Sequence, residues 1–271
     1  MKSVADLFFP PKCASCGELL PFEGLFGSDP APESALCPNC LPLWEREKKE
    51  KCGVCEQEVS NCRCVTKIMQ SAGCKAFCKL VFYRPGNREE VGNRIVYRIK
   101  DHADRNAVNF LAEELLPAVQ DCMDRAEWKE KSFFLTYLPR RSDVVLKGGN
   151  DQAKALAAAL AGRLELPLIP LIGRHRKSRA PQKFLTPAKR LSNAKGAFYL
   201  REKFQSAAAG KIAILVDDIV TSGASMAVGV RLLRRAGAKD FLTVAVASDE
   251  CNRNPAVITP ETGSELYRLP R

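Results

Sequence analysis

The stretch IAILVDDIVTSGAS, residues 212–225, decides how this chain is read. Ile212 to Val216 is an uninterrupted apolar run, the pattern of a central parallel strand buried on both faces. At its carboxyl end stand two adjacent acids, Asp217 and Asp218, and a turn of small and hydroxylated residues then enters a helix. Gly223 and Ala224 let the backbone approach a ligand closely, and consecutive N–H groups at a helix start cradle a phosphate. Thr221, Ser222 and Ser225 add hydroxyl donors. The carboxylates repel that phosphate, so they suit the hydroxyls of a sugar and a Mg²⁺ ion that keeps much of its water. A strand–turn–helix with an acidic cap is the plainer alternative, but paired acids beside a hydroxyl-rich turn exceed what capping requires.

Alternating strand and helix signals surround this stretch. Leu80 to Tyr83 is a short strand candidate ended by Pro85-Gly86. Val108, Leu111, Leu115, Val119 and Cys122 recur at spacings of three and four, one apolar helical face. Phe133 to Leu138 reads as a buried strand followed by a polar loop, and Asp151 can cap a helix whose inner face is Leu156, Ala157, Leu160 and Leu164. Leu168 to Ile172 is a further strand candidate, bent by Pro170. A helix over residues 225–235 ends at Gly237, and Phe241 to Ala247 forms the next strand. Strand, helix, strand in this order implies right-handed crossovers and an α/β fold, a parallel sheet flanked by helices.

Ten of the twelve cysteines fall between Cys13 and Cys78. The segment 1–66 has too few apolar residues for a core of its own, and the expected division is residues 1–66 and 67–271. Cys13, Cys16, Cys37 and Cys40 form two CxxC knuckles, and Cys52, Cys55, Cys62 and Cys64 follow as CxxC and CxC. Two cysteines on a tight turn aim both sulfurs at one ion, and two such turns complete the tetrahedral shell Zn²⁺ prefers. The spacing suggests two structural zinc sites, Cys13, Cys16, Cys37 and Cys40 and then Cys52, Cys55, Cys62 and Cys64, with crossed pairing between the sets left open as the alternative. One CxxC alone would fit redox chemistry equally; four pairs fit metal, whose binding supplies the missing folding energy. Cys74 and Cys78 follow at helical spacing and read as partly buried thiols, with a third metal site as the alternative.

The 271 residues carry 42 Lys plus Arg against 31 Asp plus Glu, a net charge of +11. With 46% hydrophobic and 27% charged residues the chain is an ordinary globular sequence, not a disordered one. No stretch approaches the ~18 uncharged apolar residues of a membrane helix, and the start has no long apolar signal core, so a cytoplasmic location is expected. Residues 168–203 hold ten basic residues against one acid and are interrupted by Pro181 and Pro187. That stretch reads as a flap closing over a diphosphate, as a phosphate-backbone surface for nucleic acid, or as a solvated basic loop.

The 212–225 stretch resembles the phosphoribosyl pyrophosphate signature of type I phosphoribosyltransferases: apolar strand, two acids, two apolar residues, then Thr/Ser-x-Gly-x-Ser/Thr. By that resemblance Asp217 and Asp218, the catalytic candidates, contact the ribose 2′ and 3′ hydroxyls, and residues 221–225 hold the 5′-phosphate. Together with the double zinc ribbon, the chain is similar to the ComF family of competence-associated proteins. The similarity includes residues 7–10 (LFFP), 96–102 (VYRIKDH), 136–141 (TYLPRR) and 149–152 (GNDQ), then Gln182, Arg190, Asn193 and residues 196–198 (GAF). The chain departs at Asn150, where that family usually has an aromatic residue. The resemblance places a pyrophosphate loop at 138–147, where Arg140, Arg141 and Lys147 can neutralise a diphosphate.

The implied reaction is displacement of pyrophosphate from the anomeric carbon through an oxocarbenium-like transition state, with Mg²⁺ and Arg neutralising the leaving group. No general base is identifiable: His102 reads as surface or packing and His175 as a phosphate contact. The acceptor has no signature. Three functions are compatible: a phosphoribosyltransferase of unknown acceptor, a non-catalytic nucleotide or phosphoribosyl pyrophosphate sensor, and a DNA-handling protein. Family resemblance implies a role in natural transformation, with single-stranded DNA and a helicase-like competence partner.

Overall fold

The computed structural model describes residues 11–20, 34–101, 104–124, 128, 131–148, 150–175, 196–249 and 257–258, with backbone alone at 101, 147, 148, 257 and 258. The cysteine-bearing segment contributes α1 (Cys40–Lys48) and β1 (Val65–Thr66). Next come α2 (Lys67–Ala72), β2 (Ala76–Cys78), β3 (Val81–Phe82), α3 (Val91–Asp101) and α4 (Arg105–Met123). The expected α/β alternation then follows: β4 (Phe133–Tyr137), α5 (Ser142–Gly148), α6 (Gln152–Leu164), β5 (Ile172–Arg174) and β6 (Phe198–Leu200). The last elements are α7 (Gln205–Ala208), β7 (Ile212–Val220), α8 (Ala224–Arg235), β8 (Asp240–Ser248) and β9 (Val257–Ile258).

The main sheet runs β2–β8–β7–β4, with β3 also on β8, and every pairing in it is parallel. Such strands are covered on both faces, and the side-chain alternation shows how. Leu135, Ile214, Val216, Leu242 and Val244 pack with Leu111, Leu115, Leu156 and Leu160 of α4 and α6. Phe134, Ala213, Leu215 and Ala245 face the other way, onto Met69 of α2 and Met226, Ala227, Val230 and Leu233 of α8. Burying each such aliphatic side chain contributes roughly 1.5–3 kcal/mol. β5 and β6 form a separate antiparallel pair, and β1 pairs antiparallel with β9.

Asp104 caps α4 by accepting the N–H groups of Asn106 and Ala107, and Asp151 caps α6 through the N–H of Lys154. Three expectations change. The polar loop after β4 contains the helix α5; Asp143 in its first turn suits the helix dipole, and neither Gly nor Pro interrupts residues 142–147. The 168–172 strand is displaced to β5, leaving one bridge from Leu168 to Leu135, because Pro167 and Pro170 have no N–H to pair. Cys74 and Cys78, at helical spacing in the sequence, share no helix, since residues 76–78 form β2; both are buried rather than partly buried, and Cys78 Sγ lies 3.6 Å from that of Cys122.

The cysteine-bearing segment shares the sheet's core. Trp44 of α1 is buried against Phe110 of α4, ring centroids 5.4 Å apart, and its Nε1 donates to Glu114 at 2.9 Å. Glu47 of α1 accepts the N–H groups of Val91 and Gly92 at 2.7 and 2.8 Å, so it caps α3. Its burial raises the carboxyl above the usual range, and those two N–H donors work against the rise. Among the described residues no helix is long and apolar enough to cross a membrane.

Candidate functional site

The acid pair lies within β7, which continues past the apolar run to Val220 because the nine-residue β8 pairs along it, Asp217 opposite Ala245 and Ile219 opposite Ala247. Burial, then the adjacent Asp218, holds the Asp217 carboxyl well above the usual carboxylate range. The acids draw positive charge from two other elements. Lys100 of α3 reaches Asp218, Nζ to Oδ2 at 3.3 Å. On β5, burial works against the Arg174 guanidinium and Asp217 is the leading charge that favours it. Neither cation stands among the candidates that the sequence ties to the acids; the local stretch 212–225 holds no signal for them. Asp151 belongs here too: burial raises its carboxyl and Asp218 adds to the rise, while its Oδ2 accepts the Arg140 N–H at 3.1 Å.

The turn after β7 is built as the spacing suggests. Gly223 sits at φ +76°, in the left-handed region, as the residue before α8. A side chain there would run into Thr66 Oγ1 and the Met69 side chain of α2. Thr66 donates to the Ser222 carbonyl at 3.2 Å while accepting the Met69 N–H, so α2 buttresses the turn. Ser222 Oγ accepts the Ala224 N–H at 3.4 Å. Thr221, Ser222 and Ser225 all keep partial exposure.

On the loop after β4, Arg140 extends Nη1 to the Lys100 carbonyl at 3.5 Å. Arg141 spends its planar fork on Asp143, at 3.0 and 2.7 Å. Ser142 Oγ and Arg174 Nε are buried with no hydrogen-bond partner among the described residues, although Arg174 Nη1 donates to the Pro139 carbonyl at 3.4 Å. Two orphaned donors beside this loop fit an anionic ligand that would engage them. His175 stacks obliquely on Tyr199, centroids 4.7 Å apart. Residues 1–10, His102, residues 176–195 of the basic stretch, Cys251 and the side chain of Lys147 lie outside the described residues.

Cys13, Cys16, Cys37 and Cys40 bring their sulfurs within 4.8 Å of one another, and Cys52, Cys55, Cys62 and Cys64 do the same. Each group belongs to one set of the chain, so the pairing left open by the spacing is within the sets. The first knuckle of each set turns inside a very small hairpin, bridged at Lys12–Leu19 around Cys13 and Cys16 and at Lys51–Glu58 around Cys52 and Cys55. Four-sulfur donor sets of this kind fit zinc. Burial pushes the Cys13 thiol up, but N–H donors from Cys37, Cys16 and Ser15 outweigh it and bring the thiol down to about 7. Neighbouring sulfurs, Cys52 first, push up Cys55 and Cys64, a cost a divalent cation would reverse. Each group also has a cation from the sheet side: Arg94 donates to Cys40 Sγ at 3.4 Å, and the buried Lys79 to Cys62 Sγ at 3.2 Å.

These charges have measurable consequences. A raised Asp217 pKa means that this group's contribution to stability is present in acid and lost as pH rises through the folded-state pKa. Asp217→Asn should therefore melt a few degrees above the wild type at pH 8, with the gap closing towards pH 4; an Asn variant less stable at pH 8 contradicts the repulsion. Metal analysis should give about two Zn²⁺ per chain, and a strong chelator should lower the melting midpoint. A folded, metal-free chain contradicts the zinc assignment.

The model of the family described as phosphoribosyl transferase domain matches residues 118–265, just over half of the chain. The adenine phosphoribosyltransferase of Bordetella pertussis (strain Tohama I) is 30% identical over 137 residues, 51% of this chain and 71% of that protein. A crystal structure of an adenine phosphoribosyltransferase aligns with a TM-score of 0.32 at 16% identity, over 51% of this chain and 78% of that one. A Thermus thermophilus protein aligns at 0.29 and 18% identity, over 60% of this chain and 86% of that one. On the sequence matches, the chain belongs to the phosphoribosyl transferase domain family.

Proposed function

We propose that the protein binds phosphoribosyl pyrophosphate with Mg²⁺ at the carboxyl end of β7 and transfers its phosphoribosyl group to an acceptor nucleophile. The observation that carries this reading is the acid pair Asp217–Asp218 near the end of β7, followed two strand residues later by a turn buttressed from behind by Thr66. In the proposal the acids accept the ribose 2′ and 3′ hydroxyls, and the N–H and hydroxyl groups of Thr221, Ser222, Gly223, Ala224 and Ser225 hold the 5′-phosphate. Arg140 and Arg141, with Arg174 Nε and Ser142 Oγ, serve the diphosphate; Arg141 must first leave Asp143. The paired carboxylates are oxygen donors of the kind Mg²⁺ takes together with ligand phosphates, and the ion would supply neutralisation of the leaving group. The bond from the anomeric carbon to the diphosphate oxygen breaks with its electron pair leaving on the diphosphate, and the nucleophile forms the new bond and gives its proton to the departing diphosphate or to solvent water. Positioning and charge stabilisation supply the catalysis.

The wider reading rests on the ComF resemblance: residues 1–66 as a zinc-ribbon module with two structural Zn²⁺, residues 67–271 as the transferase-like domain, a cytoplasmic location, and a role in DNA uptake beside a helicase-like partner. A non-catalytic sensor of nucleotides or phosphoribosyl pyrophosphate, using the same site for binding only, is the second reading. Direct DNA handling through the basic 174–190 residues is the third.

Titration calorimetry with phosphoribosyl pyrophosphate and Mg²⁺ should give a dissociation constant of about 1 μM–1 mM, weakened about ten-fold or more in Asp218→Asn. Pyrophosphate release is then followed with a panel of acceptors beginning with adenine, the substrate named for the Bordetella relative. Turnover supports transfer, whereas binding without turnover on any acceptor supports the sensor. No binding overturns both, and DNA affinity falling steeply with salt would then favour the third reading.

A further inference from the structure

Lys100 lies outside the family match, yet it carries the positive charge that meets the acid pair from α3. Its Nζ stands 3.3 Å from Asp218 Oδ2 and 5.9 Å from the centroid of the Tyr83 ring. Both members of the ion pair keep an edge in solvent, at 26% and 19% side-chain exposure. The helix that carries Lys100 is fixed at both ends. At its start Glu47 of α1 takes the N–H groups of Val91 and Gly92. At its end the carbonyls of Ile99 and Lys100, which a helix terminus leaves without intrahelical donors, accept from Asn150 at 2.8 Å, Gln152 at 3.3 Å and Arg140 at 3.5 Å. The backbone of Lys100 is thus tied to the loop that would bind the diphosphate, and its ammonium to the acid that would bind the sugar.

A partly exposed ion pair is weak and exchanges easily. Lysine is a compact point charge on a flexible four-carbon stem, so it can change partners without any shift of the helix. Arg141 has no such freedom until it leaves the two-pronged pair with Asp143. Resting on the phosphoribosyl pyrophosphate reading above, we propose that Lys100 is a substrate-contacting residue: it neutralises Asp218 in the empty site and moves to the ligand's diphosphate when the sugar hydroxyls take Asp218 over. The exchange keeps positive charge beside the acids while the site is empty and delivers it to the bond that breaks when the site is filled. It also gives the cysteine-bearing segment a function in the site, because Glu47 of α1 sets the helix from which Lys100 reaches.

The test compares phosphoribosyl pyrophosphate with ribose 5-phosphate, which has the same sugar phosphate and no diphosphate. Both are titrated, with Mg²⁺, into the full-length zinc-loaded wild type, Lys100→Met and Lys100→Arg, with melting midpoints measured alongside. Lys100→Met should lose about ten-fold in affinity for phosphoribosyl pyrophosphate and less than about two-fold for ribose 5-phosphate. Lys100→Arg, which keeps the charge, should recover most of the loss. Equal losses on the two ligands would make Lys100 a holder of Asp218 only and overturn the proposal, as would unchanged affinity for phosphoribosyl pyrophosphate. If the wild type binds neither ligand, the underlying reading of the site fails and this one falls with it.

Discussion

Two adjacent carboxylates held within a parallel strand, two residues short of its end, repel each other, and much of the surrounding architecture meets that constraint. β7 cannot end before them, because β8 pairs along it as far as Val220. Water cannot screen Asp217 fully, so its proton is held tightly. What remains is positive charge from elsewhere: Lys100 from α3 on Asp218, and Arg174 from β5 with Asp217 as its leading favourable charge. Repulsion of this kind is a stored cost that a fold retains where a ligand relieves it, the usual reason strained charge gathers at binding sites.

The cysteine-bearing segment is bound into the same problem. Its α1 caps α3 through Glu47 and anchors on α4 through Trp44 and Glu114, while Thr66 at its end holds the Ser222 carbonyl behind the turn. Arg94 and Lys79 return the connection by donating to Cys40 and Cys62 sulfurs. A segment whose apolar residues pack in the sheet's core thereby contributes to the helix that presents Lys100 and to the support of the turn. If the cysteine groups hold metal, its loss would be felt at the acid pair through these contacts as well as in the knuckles.

The legible parts of the chain are those governed by local pattern. The apolar run 212–216 is a central strand, Asp151 caps its helix, and the turn glycine adopts a positive φ. The eight cysteines gather as two groups of four, although spacing alone does not say which sulfurs meet. Illegible are features decided by tertiary contact. Lys100 precedes Asp218 by more than a hundred residues and meets it only because α3 is docked by Glu47 and by the loop at Asn150. Asn150 donates to the Ile99 carbonyl at the end of α3, a role that only the tertiary contact reveals. The helix α5 escapes a local reading because its short run Ser-Asp-Val-Val-Leu-Lys has too little periodicity to separate from a loop.

The end of β7 and the turn beyond it stand or fall as one site for a phosphorylated sugar. A crystal structure of the zinc-loaded protein with ribose 5-phosphate and Mg²⁺ tests this most directly. The phosphate is expected against the N–H groups of residues 221–225, with the sugar hydroxyls on Asp217 and Asp218. A phosphate bound elsewhere, with the turn and both carboxylates unliganded at saturating ligand, would contradict it.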